Sequence, residues 1–248
     1  MRNNIFLLLL IVLTINACDN QNVPDCLKKR GDMTFFEKKV ENFNNIEMYD
    51  AFNVELIKDT FDLVEVECSN NLKQNIGIKV DTLERKLIIN DESFCGIVRN
   101  NSDMPNLKIH YSNPISSFYI YGNSSVKSED TVDIERYVFT SRAGKLNVLN
   151  NCRNVGVDVW LGTGEFIIKG WADNFHCDAR GTSKIDVSQL AVKTADVETH
   201  STGDIYVNVS DSIHCNFFWV GNVYCTQNPK SYVENQKNST GKLITNYK

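Results

Sequence analysis

The chain has 248 residues, with 26 Lys and Arg against 31 Asp and Glu and a formal charge of −5. That balance excludes a nucleic-acid binder, whose affinity comes largely from Lys and Arg neutralising phosphates. A hydrophobic content of 42 % is that of a globular protein with enough chain for one well-buried core.

Residues 1–17 read as an export signal. Arg2 gives a positive start, Ile5 to Leu13 is an unbroken apolar run, and Ala17 precedes Cys18. The run is well short of the ~20 residues that span a bilayer as a helix, so a removable signal fits better than a membrane anchor. The Ile15-Asn16-Ala17-Cys18 junction resembles the lipobox of bacterial lipoproteins, which makes Cys18 the lipidation site and the mature N-terminus. Residues 18–33 are polar and read as a flexible tether. Residues 34–248 are expected to form a single β-coil domain.

Its first part, 34–122, is strand-rich but irregular. Phe52 to Leu56, Val64 to Cys68, Leu87 to Ile89, Leu107 to Ile109 and Phe118 to Ile120 are short apolar or alternating runs with no visible period. The second part, 123–248, repeats. A small residue, a polar residue and an apolar residue recur together. The apolar members are Val126, Leu146, Phe166, Ile185, Ile205, Val223 and Leu243, at steps of 20, 20, 19, 20, 18 and 20. Such a period means stacked repeats.

Alternation within each unit gives two strands with one buried face. An antiparallel meander would not keep one corner motif in phase, so a parallel coil is expected. Val155, Val157, Val159 and Leu161 fall on the opposite parity, which calls for a bulge or register change. Asn235 and Lys237 stand where earlier units are apolar, as a polar terminal cap should. The position beside the corner reads Lys145, Glu165, Lys184, Asp204, Asn222, Lys242, a column of mostly alternating charge.

Of eight cysteines, Cys18 is the lipid site. Cys177 and Cys215 share a strand position with Val197 in the coil between them, so both are expected inward, reduced and unpaired with each other. The pairing of Cys26, Cys68, Cys95 and Cys152 is left open.

Three features carry a family resemblance. The opening segment is Phe43-Asn44-Asn45-Ile46 followed by Phe52-Asn53-Val54-Glu55-Leu56. The central segment is Asn71-Leu72 followed by Leu87-Ile88-Ile89. The corners are Gly162-Thr163-Gly164, Ser201-Thr202-Gly203 and Ser239-Thr240-Gly241. Together they resemble the auto-transporter adhesin family with a head GIN domain, whose members are mostly exported or lipid-anchored proteins of Bacteroidetes. The resemblance implies an all-β fold similar to a right-handed parallel β-helix, with a less regular β-rich N-terminal half. It brings no catalytic residues.

No nucleotide loop, nucleophile elbow or zinc-protease motif occurs, and no cofactor is implied. Stacking the coils sets His176, Asp196 and His214 in one outward column, beside Asp178, Glu198 and Asn216. The composition nominates a weak metal candidate. Ligands must converge, however, and a flat strand face spreads them, so an ordinary solvated polar face is the expectation. Tyr206 and Tyr224 should stack outward near Phe218 and Trp219, a candidate binding surface.

The expected function is a non-enzymatic cell-envelope lipoprotein, held at the outer membrane through its N-terminal lipid, binding a polysaccharide or protein partner as a scaffold or adhesin does. The alternatives are a polysaccharide-active β-helix enzyme using Asp178 and Glu198, and a structural or sensing envelope component.

Overall fold

The computed structural model describes residues 31–92, 104–140 and 143–247. Among them are nineteen strands joined in one hydrogen-bonded sheet that winds around a single core. They include no α-helix, only a 3₁₀ turn at Lys73–Asn75.

Each coil is two strands joined by a corner, and like strands of successive coils pair in parallel. One flank carries β3 (Asn53–Lys58), β9 (Ser125–Val132), β11 (Ala143–Asn151) and the first parts of β13 (Thr163–Gly181) and β14 (Lys184–Ser201), then β15 (Ile205–Val207), β17 (Val223–Cys225) and β19 (Leu243–Ile244). The seven apolar positions of the sequence repeat, Val126 to Leu243, pair one on the next along this flank. The second flank carries β2 (Asn45–Met48), β8 (Ser117–Ile120), β10 (Arg136–Phe139), β12 (Asn154–Val159), the second parts of β13 and β14, β16 (Val209–Phe217) and β18 (Ser231–Gln236).

The corners explain the period. A Cβ on Gly203 would lie 2.0 Å from the Ser183 carbonyl oxygen, and one on Gly221 would lie 2.4 Å from that of Gly203. Backbone of one coil rests on backbone of the last, and no side chain fits between.

The first half is irregular because its coils stack out of chain order. β6 (Lys86–Asp91) and β7 (Asn106–Tyr111) lie on the outer side of β2 and β3, while β8 and β9 lie on the other side. Val54 therefore sits between Leu107 and Val126. β4 (Leu63–Ser69) pairs antiparallel with β7 and with β1 (Met33–Lys39), and β5 (Ile76–Asp81) with β6, closing that end.

Two local expectations are corrected. Val155, Val157 and Val159 pair with Phe175, Cys177 and Ala179 without a shift, so no bulge is needed. The register shifts fall elsewhere, at Asn147/Leu149, Ile167/Lys169 and Val192/Thr194. At the far end the step from β16 to β18 is nineteen residues, not twenty. Glu234 and Gln236 pair with Cys215 and Phe217, and Asn235 pairs with the outward Asn216. The polar cap thus stands on inward positions, which discourages a further strand from adding.

Candidate functional site

The outward side of the second flank is built of columns, because each parallel step sets one side chain beside its equivalent in the next coil. In the first column Asp196 lies between two histidines. His214 Nδ1 is 3.0 Å from its Oδ1, and His176 Nδ1 is 3.7 Å from its Oδ2. The other ring nitrogen of His214 is 3.0 Å from Asn235 Nδ2. The fold therefore brings His176, Asp196 and His214 together, but as a row along the surface in which Asp196 is hydrogen-bonded to His214 and only near His176.

The second column runs Asp158, Asp178, Glu198, Asn216 and Asn235. Asp158 is buried. The Arg136 guanidinium pairs with its Oδ2, while Oδ1 has no hydrogen-bond partner and lies 3.9 Å from His176 Nε2. Asp178 is gripped by Arg180 through two contacts of 3.2 and 3.0 Å, and Glu198 is 2.8 Å from His200 Nε2. Asp178, Glu198 and His200 bring one ligand-type atom each within 4.8 Å of one another. They are a tighter group than the histidine row, and one that the spacing of histidines alone does not reveal. The two carboxylates are each engaged by a cation-capable side chain from their own strand.

At the edge of this flank the third column stacks rings and cations. The Arg180 guanidinium lies 5.5 Å from the centre of the Trp160 ring. His200 and Phe218 stack at 4.0 Å and 10°, and Lys237 lies 4.9 Å from the Phe218 ring. Phe218 is thus covered on its ring by His200 and Lys237. Trp219, at the corner beyond, is 57 % exposed.

Tyr206 and Tyr224 stack at 5.1 Å on the other flank, with Tyr247 tilted onto both and Lys184 5.8 Å from the Tyr206 ring. Burial and the nearby Asp204 carboxylate push the Tyr206 hydroxyl pKa up. The predicted aromatic set therefore divides into two groups on either side of the glycine corner, and Tyr247 is a member that the sequence pattern missed. Cys18 lies outside the described residues.

The charge column beside the corner is only partly an ion-pair ladder. Lys184 and Glu165 pair at 3.7 Å, whereas Asp204 and Asn222 accept backbone N–H groups of the next coil. A truer ladder stands on the second flank: Arg153, Asp173, Lys193, Asp211 and Lys230. Its ion pairs are 3.8 Å from Arg153 to Asp173, 2.6 Å from Lys193 to Asp173 and 2.8 Å from Lys230 to Asp211.

A parallel coil whose like strands stack rung on rung, with outward side chains aligned in columns, defines a β-solenoid with a patterned flank. The family model described as "Putative auto-transporter adhesin, head GIN domain" matches residues 42–229, and the chain belongs to that family. Similar solved structures include an adhesin-like protein of Bacteroides fragilis, at 18 % identity over 86 % of this chain and 97 % of that one, TM-score 0.76. Another, from Parabacteroides distasonis, has 19 % identity over 87 % and 97 %, TM-score 0.60. A third from the same species, described as a lipid binding protein, has 15 % identity over 88 % and 96 %, TM-score 0.57. At these identities the likeness establishes the fold alone. No curated protein matches the chain.

Proposed function

We propose that this protein is a non-enzymatic envelope lipoprotein, anchored through Cys18 and the 18–33 tether, whose single β-coil domain (34–248) holds a polysaccharide or protein partner. The partner surface is the pair of aromatic groups at the last corners, Tyr206 with Tyr224 and Phe218 with Trp219. The observation that supports a binding rather than a catalytic role is the state of the acids. Asp178 and Glu198, the pair a glycosidase reading requires, are held by Arg180 and His200. The lipid junction at Ala17-Cys18 supports an anchored place in the cell envelope, which this reading sets at the outer membrane.

Two experiments test this. Wild-type protein is expected to sediment with membranes and Cys18→Ser to appear in the soluble fraction; equal partition into detergent would refute the anchor. The detergent-solubilised full chain is expected to retain envelope polymers or proteins that a Tyr206→Ala/Tyr224→Ala variant releases. Shortening of a polysaccharide during incubation would instead make it an enzyme.

A further inference from the structure

Most outward rings of this protein lie face to face with another group. His200 lies on Phe218, Tyr206 on Tyr224, and Arg180 on Trp160. Rings stacked along the coil axis turn their edges to solvent, and a ligand that needs a ring face finds little there. Trp171 differs. It is 49 % exposed, and no ring or cation stacks on it among the described residues. Its neighbour in the next coil is Ala191, where a larger side chain would cover the indole. The result is a groove of about 520 Å³, floored by Ala172, Ala191 and Val192 and edged by Lys193, Ser210 and Gln227. That volume lies within the ~300–1,000 Å³ of ordinary small-molecule sites. From Trp171 to Gln227 it crosses three coil steps, or ~14 Å at ~4.8 Å per step.

The charges around the groove are already satisfied. Asp173 takes Lys193 at 2.6 Å and Arg153 at 3.8 Å. The Lys193 pairing also holds the Asp173 carboxyl below its usual pKa range, so it stays an anion beside that lysine. An acidic or basic ligand gains no unpaired counter-charge here. What remains on offer is an open indole face with small side chains beneath it, the Ser210 hydroxyl and the Gln227 amide. A flat apolar face beside hydrogen-bonding groups, without net charge, matches one ligand chemistry: a ring whose C–H side packs on an aromatic while its rim presents hydroxyls. The geometry points to a subsite for a neutral saccharide, one pyranose seated against Trp171 and the chain continuing toward Gln227. This rests on the reading of the protein as a binding module and adds a second contact, separate from the corner aromatics.

The test titrates full-length protein with neutral hexasaccharides (cellohexaose, mannohexaose and xylohexaose) and with hexagalacturonate as the anionic comparison, at millimolar concentration, by calorimetry and tryptophan fluorescence. At least one neutral hexasaccharide is expected to bind and to change tryptophan emission, with the anionic one at least tenfold weaker. Trp171→Ala is expected to weaken binding at least tenfold. Ala191→Tyr, which fills the groove and leaves Trp171 in place, should do the same with an unchanged melting temperature, and Trp160→Ala, at an exposed tryptophan outside both surfaces, should bind as wild type. No binding by any neutral hexasaccharide overturns the subsite. So does binding that survives both Trp171→Ala and Ala191→Tyr. If that surviving binding is lost in Trp219→Ala, the corner surface holds the partner, and the general binding reading stands without the groove.

Discussion

Cys177 and Cys215 occupy the same interior column two strands apart, with Val197 between them and all three fully buried. Two strand steps are ~9.6 Å, beyond the ~7 Å that a disulfide can bridge. Burial pushes both thiols well above their ordinary pKa, so they are poor nucleophiles. A non-reduced digest after thiol blocking is expected to contain no peptide joining them. Cys215→Ala should cost about 1 kcal/mol, and Val197→Asp more than about 4 kcal/mol, because it buries an unpaired charge.

The corner glycines should not tolerate a methyl group. Gly203→Ala and Gly221→Ala are each expected to lower stability by about 1–3 kcal/mol in denaturant melts, since their Cβ atoms would meet backbone carbonyls. Gly144→Ala is the comparison. Its Cβ would lie 3.2 Å from the Phe139 ring and 3.6 Å from the Ser124 carbonyl oxygen, so its cost should be smaller.

The positions that were legible in the sequence are those that the backbone itself enforces. Glycine and serine at the corner have no room for larger side chains, so the apolar residues two positions on kept their period from Val126 to Leu243. The stacking order of the first half was not legible. Val54 has Leu107 on one side and Val126 on the other, and neither local alternation nor composition says which strand takes which side. The ladder from Arg153 to Lys230 did carry a signal, since its five members share the coil spacing with alternating sign. The Trp171 groove carried none, because it is made by what is small, Ala172 and Ala191, rather than by a motif.

That ladder should show in the pH dependence of stability. The hydrogen bond from Lys193 lowers the Asp173 pKa and raises its own, and Lys230 lowers that of Asp211. A lowered folded pKa gives stability that is full above the unfolded value of ~3.9 and is lost as pH falls through the folded value. The raised Lys193 pKa gives stability that is present below ~10.4 and lost as pH rises through its folded value. The melting temperature of wild type should exceed that of Lys193→Met between about pH 5 and 9. The difference should shrink toward both extremes and in about 1 M salt, because these groups are exposed and screened.

The Arg136–Asp158 pair is the opposite case, with a carboxylate that is 1 % exposed. Removing the cation strands a buried charge. Arg136→Ala is expected to cost about 3–5 kcal/mol, and Arg136→Ala/Asp158→Val to recover most of it, because Val138 precedes this position in its column. Equal stability of the single and double variants in urea would show that the pair is not what supports Asp158.

The most direct test of the parallel register is a pair of engineered cysteines. Asn174 and Thr194 are neighbours on consecutive coils, with Thr194 Oγ1 2.7 Å from Asn174 Oδ1, and Asn154 lies one coil further on the side of Asn174. Under mild oxidation Asn174→Cys/Thr194→Cys is expected to give a disulfide that peptide mapping locates between those two positions. Asn154→Cys/Thr194→Cys, two steps apart, is expected to stay reduced. A cross-link in the second pair and none in the first would contradict the stacked coil, and with it the outward columns and the groove beside Trp171.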